Sequence, residues 1–459
     1  MNFCPSLFKP TAAVDGILTR IRVPLGIISL EQIEAIAQIS EQFSNSSIQI
    51  TNRANIQIRT SEPLPNSVLK DLQKLGLAAH NPDLDHLRNI MISPTAGFDP
   101  EALLDTRPLA IAWLKYIDNH PELAILSPKF SIGIDGGEGV SIGNRPNDII
   151  LKAVKYRKEV YFSLHIVNTP TDLLINPDQA LNVLSVLTEI YRNFTIQKSF
   201  QNLDQIRSPR LRELIKEWGM EVYLKTLEDI LDPHPQTLCH WEKGEEISNA
   251  STLGEFQHLG VHSQIQWEYS YMGVVIPLGR LSSSQFRSLG NISKSLRLTP
   301  FQNAIAPNIP NQEIESVKTQ ISELGLSISD NHPFAAMVAC SGITGCKSSA
   351  TDTQSDARAI AEHLQTSIIL DRPINIHLTG CEKSCAQHHP SDITLLGVDT
   401  DMYKVFVSDR CEEVKFGKEL QNQYPASELP NLVKELIQTY QTQRETPDQT
   451  FKEFMRNYD

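Results

Sequence analysis

Apolar positions near the start of the chain change period twice. Ile17, Thr19, Ile21 and Val23 recur at every second residue, the spacing of a half-buried strand. Leu30, Ile33, Ile36, Ala37 and Ile39 then fall on one face of a helix, and Ser47-Ile48-Gln49-Ile50-Thr51 returns to strand spacing. The same order appears again far down the chain. Val274 and Ile276 alternate, Phe286, Leu289, Ile292 and Leu296 follow at helical spacing, and Leu296-Arg297-Leu298-Thr299 closes the unit. The turns also match: Val23-Pro24-Leu25-Gly26-Ile27-Ile28-Ser29 with Gln32 corresponds to Ile276-Pro277-Leu278-Gly279-Arg280-Leu281-Ser282 with Gln285. A Pro-Leu-Gly match alone arises by chance. Agreement of strand, turn, helix and strand in one order argues for duplication.

Two larger segments alternate with these small ones. Residues 81–235 mix short strands (Phe130 to Ile134, Val160 to Val167) with long helices. One helix starts after Asn176-Pro177-Asp178 and carries Ala180, Val183, Leu184, Leu187 and Ile190; another runs from Pro209, which suits a first helical position. Residues 232–261 read as a linker, rich in Pro, Ser and charge. The pattern predicts units at 1–80, 81–235, 236–310 and 311–459, with peripheral closing helices from about Leu429 and after Pro447.

A chain of 459 residues suggests roughly three domains at about 150 residues each. With 40% hydrophobic and 21% charged residues it is an ordinary globular composition. No run of eighteen apolar residues predicts a membrane span, and Met1 to Pro10 does not read as a signal peptide. A net charge of −13 argues against general nucleic-acid binding, while leaving room for a local basic pocket around a small anion. Seven cysteines are too few for a disulfide-built secreted scaffold, so a cytoplasmic location is expected.

The cysteines carry the sharpest chemical signal. Cys4, Cys239 and Cys411 are isolated, whereas Cys340 with Cys346 and Cys381 with Cys385 form two close pairs. Four clustered thiols suggest a metal site. Structural zinc usually takes a tighter bite, and the wider spacing here favours a cubane iron–sulfur cluster, whose four irons each take one sulfur. Zinc, or buried cysteines with no shared metal, are the alternatives. Gly133 to Gly139 follows a predicted strand but lacks the spacing of a dinucleotide-binding loop.

Four segments, in order, resemble the sirohaem-type nitrite/sulfite reductase superfamily: Ile50-Thr51-Asn52-Arg53-Ala54-Asn55-Ile56-Gln57, Arg88-Asn89-Ile90, Ser127-Pro128-Lys129-Phe130, and Cys340-x5-Cys346 with Thr379-Gly380-Cys381-x3-Cys385. The resemblance implies an α+β fold: a duplicated ferredoxin-like half-domain plus sulfite-reductase-like α/β domains, in a three-part pseudo-twofold architecture. Local departures resemble one branch, precorrin-3B synthase. Glu382-Lys383-Ser384 stands where assimilatory reductases have Pro-Asn, Ala386 follows the last cysteine, and His389-Pro390 comes soon after. Ser131 occupies the place of a second oxyanion-binding lysine, and the Gly-Gly cradle of sirohaem is replaced near Val407-Ser408-Asp409.

This likeness implies an oxidoreductase, specifically a monooxygenase of cobalamin biosynthesis that hydroxylates precorrin-3A with dioxygen and closes a lactone. It implies a 4Fe–4S cluster on Cys340, Cys346, Cys381 and Cys385, with Cys385 a possible bridge to sirohaem. Sirohaem (a haem) or a mononuclear non-haem iron would supply a further iron, and His388 and His389 are weak candidate ligands. The tetrapyrrole carboxylates would meet Arg53, Arg59, Arg88, Lys129, Arg297 and Lys383, because cations, and arginine forks above all, hold carboxylates. The electron donor would be external, a reduced nicotinamide or a ferredoxin-type carrier. The alternatives are a ferredoxin-dependent sirohaem nitrite or sulfite reductase and a non-catalytic iron–sulfur electron carrier.

Overall fold

The duplicated turn organises the centre of the molecule. The computed structural model describes residues 5–201, 207–231, 238–241, 256–408 and 415–457. In it Leu25 and Gly26 take φ values of 64° and 67°, and Leu278 and Gly279 take 52° and 68°. A Cβ on Gly26 would sit 2.8 Å from the Leu298 carbonyl oxygen, and one on Gly279 would sit 2.8 Å from that of Ile50. Each turn is thus pressed against the closing strand of the other copy, where only glycine fits.

From these turns the two copies exchange strands. Ile27–Ser29 pairs antiparallel with Ser295–Leu298, and Arg280–Ser282 pairs with Ser47–Ile50. One five-stranded sheet runs Thr11–Ala13, Gly16–Ile21, Ile56–Thr60, Ser47–Ile50, Arg280–Ser282; its mate runs Gly260–Ser263, Tyr269–Val274, Ala304–Pro310, Ser295–Leu298, Ile27–Ser29. Ser29 with Gln32 and Ser282 with Gln285 form matching capping boxes on the helices Leu30–Phe43 and Ser283–Ser293. Ile21, Ile33, Ile48 and Ile56 share one core with Met272, Phe286, Leu289 and Leu296, so the two halves make a single domain. The helix Ile314–Glu323 adds Val317 and Ile321 to that core. The division expected after residue 310 therefore separates this helix from the sheet it packs on.

The two larger units repeat each other as well. In the first, Ile90–Ile92, Ile132–Asp135 and Ile149–Tyr156 run parallel, followed by antiparallel Glu159–Ile166 and Thr169–Ile175. In the second, Met337–Ala339, Ile376–Thr379 and Ile393–Asp399 run parallel, followed by antiparallel Met402–Val407 and Lys418–Pro425. The helix expected after Asn176 runs Ala180–Gln201. Leu211 opens the helix expected from Pro209. The closing helices Leu429–Gln443 and Phe451–Met455 are not peripheral. Val433, Ile437, Tyr440, Phe451 and Met455 are buried in the core of the second unit, because both helices turn their apolar faces to its sheet. Among the described residues no helix is long and apolar enough to cross a membrane.

A buried ion pair fastens the central domain to the first large unit. Arg22 Nη1 lies 2.8 Å from Asp85 Oδ2, with both side chains almost wholly enclosed. Asp85 also accepts the Ala79 N–H at 3.2 Å and stands 3.7 Å from Arg88 Nη1. Replacing Asp85 by Ala leaves two buried guanidiniums without this counter-charge. The expected loss of stability is about 3–5 kcal/mol, read as a lower denaturation midpoint.

Candidate metal centre and adjoining cavity

The parallel neighbours Met337–Ala339 and Ile376–Thr379 bring both cysteine loops to one end of a sheet. Cys340 directly follows the first strand, and its N–H donates to Leu378 O at 3.0 Å. The short helix Gly342–Gly345 then delivers Cys346. Cys381 lies two residues past the second strand, and Ser384, at φ 53°, turns the chain to present Cys385. Gly380 N–H donates to Cys340 Sγ at 3.3 Å. A Cβ on Gly380 would fall 1.6 Å from Ser349 Oγ, so this glycine permits the two loops to touch.

The Cys385 thiol is pushed up by burial and then by the Cys381, Cys340 and Cys346 thiols, which places all four within electrostatic reach of one another. Four thiols brought to one end of a sheet fit the ligand set of a 4Fe–4S cluster, with one sulfur to each iron.

Beyond Cys385 the chain borders a partly open cavity lined by Arg53, Arg145, Phe301, Gln302, His388 and His389, among others. Asn52 Nδ2 donates to the Ala386 carbonyl at 3.0 Å and Gln302 Nε2 does so at 3.4 Å. The loops that follow the closing strands of both copies therefore hold the segment that links thiol to cavity. The Arg145 guanidinium stacks 4.2 Å from the Phe301 ring centre, and its Nη1 donates to His389 Nε2 at 2.7 Å. His388 is depressed by burial and then by Arg53, Lys415 and Lys129, so these cations surround it. A flat aromatic face beside several cations suits a planar ligand with anionic edges.

The structure sorts the expected ligand residues. Arg53 lines the cavity, with Nη1 donating to Asn147 Oδ1 at 2.6 Å, and exposed Lys129 stands within reach of His388. Arg88 does not line it: its guanidinium faces Asp85 and donates to the Gly76 carbonyl, a structural role. Arg59 is likewise turned elsewhere, to Asp15, Gln49 and Ser341. Arg297 is buried 5.5 Å from the Phe98 ring centre and pushed down to about 10 by burial and by Arg107. Lys383 Nζ donates to Ser348 Oγ at 3.0 Å and joins the two cysteine loops.

His388 and His389 do line the cavity, but the Arg145 N–H occupies His389 Nε2, and no facial set of iron ligands forms among the described residues. Ser131 turns into the protein, its N–H and hydroxyl 3.0 and 3.5 Å from Asp148 Oδ2. Cys4, Asp409 and Cys411 lie outside the described residues, as does the side chain of Cys239.

Sequence reasoning missed Arg145, Phe301 and Gln302. The last two had a signal. Thr299-Pro300-Phe301-Gln302-Asn303 is the second copy of Thr51-Asn52-Arg53-Ala54-Asn55: Asn55 Oδ1 accepts Val23 N–H at 2.9 Å and Asn303 Oδ1 accepts Ile276 N–H at 3.0 Å. Phe301 thus stands where the first copy has Arg53.

The chain is similar to known proteins. The nitrite and sulphite reductase 4Fe-4S domain matches residues 84–233 and 334–454, and the nitrite/sulfite reductase ferredoxin-like half domain matches 12–63 and 262–324. The ferredoxin–nitrite reductase of Synechococcus elongatus is 27% identical over 452 residues, covering 92% of this chain and 85% of that one. The chloroplastic ferredoxin–nitrite reductase of Zea mays is 26% identical over 403 residues, covering 83% and 69%. The solved structure of the NirA protein of Mycobacterium tuberculosis superposes with a TM-score of 0.77 at 20% identity, covering 96% of this chain and 83% of that one. Its likeness extends to the whole three-part fold.

Proposed function

This chain belongs to the nitrite and sulphite reductase family, and we propose that it passes electrons from a ferredoxin-type donor to a small, singly charged oxyanion. Four gathered thiols lie one short segment away from a cationic cavity, and that juxtaposition carries the reading. A 4Fe–4S cluster on Cys340, Cys346, Cys381 and Cys385 would supply single electrons, and a sirohaem-type tetrapyrrole in the cavity would supply the iron at which the oxyanion is reduced. The chain's own residues do the rest. Arg53 and Lys129 draw the anion in, Phe301 offers a flat apolar face, and Asn52 and Gln302 hold the segment between thiol and cavity. A pure electron carrier would have no need of that cavity. The relatives reported above are nitrite reductases, which weighs for nitrite.

Ser131 supports the choice of a singly charged substrate. Turned to Asp148, it leaves Lys129 without the second lysine that the resemblance to sulfite reductases implies at position 131. Ser131→Lys is expected to strengthen sulfite binding more than nitrite binding, measured as the two inhibition or Michaelis constants on the same preparations.

A second reading, dioxygen-dependent hydroxylation of precorrin-3A as in precorrin-3B synthase, is favoured by Lys383, Ala386 and His389-Pro390 around the last cysteine. One set of assays separates them. Purified enzyme with reduced ferredoxin should consume nitrite without air and show a sharp Soret-type band. Nitrite left untouched, with labelled dioxygen entering precorrin-3A instead, would establish the second reading in its place.

A further inference from the structure

We propose that Arg59, Asp15 and Arg280 form a cationic clamp beneath the Cys340–Cys346 loop, which holds that loop in place and raises the reduction potential of the cluster it carries. The inference rests on the cluster reading above and concerns residues that touch neither substrate nor iron. They are positioning residues.

The geometry begins with Arg59, whose side chain is only 10% exposed. Its Nε lies 2.7 Å from Asp15 Oδ2, Nη1 donates to Gln49 Oε1 at 3.1 Å, and Nη2 donates to Ser341 Oγ at 2.7 Å. Ser341 follows Cys340 directly. Asp15 reaches the other end of the loop, since a Cβ on Gly345, the residue before Cys346, would sit 3.1 Å from Asp15 Oδ2. One ion pair from the central domain therefore brackets the segment between two cluster thiols. The planar guanidinium donates through Nη1 and Nη2 to two partners and meets Asp15 as an ion pair.

Strand exchange adds a second guanidinium. Arg280 is the register partner of Gln49, the residue whose amide Arg59 holds. Arg280 is pushed down to about 10 by burial and then by Arg59, and its Nε is buried without a partner among the described residues. Arg358, on the helix Thr353–Ser367, stands within electrostatic reach of it. Two guanidiniums against the Asp15 carboxylate leave net positive charge under the loop. Burying it is costly, and an anionic neighbour is what would offset that cost. A cluster with four thiolate ligands is such a neighbour, and it gains further negative charge when an electron from the donor enters. Nearby cations favour that reduced form.

The duplication supplies an internal control. Counted from the matched turns, Arg280 corresponds to Ile27 and Arg59 to Pro307. Strand exchange brings these two positions into the other sheet, which has no cation at either place, although Arg297 stands there at the position that matches Gln49.

Three variants of the full chain, purified without air, test the clamp: Arg59→Gln, Arg59→Lys and Arg280→Met. Iron and acid-labile sulfide content report loop retention, and an EPR-monitored redox titration reports potential. Arg280→Met leaves every bond of Arg59 in place, so it should keep full cluster content. Its reduction equilibrium should shift toward the oxidised form about tenfold, or about 59 mV for one electron. Arg59→Gln should lose cluster and lower the potential of what is left; Arg59→Lys should recover potential but not retention. An Arg280→Met protein with wild-type potential, or an Arg59→Gln protein with full cluster at wild-type potential, overturns the clamp. A wild-type chain that holds no cluster would instead sink the reading on which the clamp rests.

Discussion

Cys381→Ser protein, purified anaerobically, is expected to carry none of the broad visible absorption of a 4Fe–4S cluster and to have no electron-transfer activity. The effect should be complete, because the loss is chemical. A serine hydroxyl is a hard, weakly acidic oxygen, whereas iron–sulfur clusters select soft thiolates. The polypeptide around the site should survive the change. Both loops leave adjacent parallel strands, and Ala350 N–H still donates to the Gly380 carbonyl at 2.8 Å. Melting of the cluster-free variant should therefore match that of wild-type protein stripped of iron by a chelator. Cys239→Ser supplies the contrast, since Cys239 sits on the strand Leu238–His240 in the other large unit and should leave the absorption intact. A cluster that persists in Cys381→Ser would refute the ligand set.

Arg53→Ala should lower kcat/KM for nitrite by about 10- to 150-fold, which corresponds to losing about 1.5–3 kcal/mol from a hydrogen bond to a charged group. Arg53 is suited to this role by its surroundings. It lines the cavity, its Nη1 is oriented by Asn147 Oδ1 at 2.6 Å, and its charge is felt at His388. Arg88→Ala should behave in the opposite way. Its guanidinium is committed to Asp85 and the Gly76 carbonyl, so the variant should melt earlier while nitrite affinity in the folded fraction stays near wild type. Measuring melting and nitrite kinetics on the same two proteins decides the matter. Equal kinetic losses in both would show that the cavity assignment had separated the wrong arginine.

The duplicated halves and the two cysteine pairs were legible in the sequence because both are local signals. A strand or helix period is set by backbone geometry over a few residues, and the Pro-Leu-Gly turn with its Ser and Gln caps repeats almost letter for letter. Spacing alone likewise brought Cys340, Cys346, Cys381 and Cys385 into one hypothesis. The fold class was an implication of the family resemblance carried by four motifs, and the burial of the closing helices was not legible at all, since their amphipathic faces say nothing of which sheet will cover them.

The arginines show where local signals stop. Arg53, Arg59, Arg88 and Arg297 are the same residue type, each in or beside a motif, and no neighbour in sequence distinguishes them. Three of them were decided by groups far along the chain, Asn147 for Arg53, Ser341 for Arg59 and Phe98 for Arg297, whereas Arg88 meets Asp85 three residues away and the Gly76 carbonyl twelve away. A guanidinium in low dielectric goes to the nearest acceptor that can repay its desolvation, and which acceptor is nearest is a property of the packed chain. Arg145, outside every motif, entered the site through its contacts with Phe301 and His389, residues that only the assembled pseudo-twofold brings beside it. Sequence by itself determined the elements, the repeat and the thiols. Tertiary structure alone decided which charges face the cavity, because that choice is made by desolvation and contact between segments that share no local pattern.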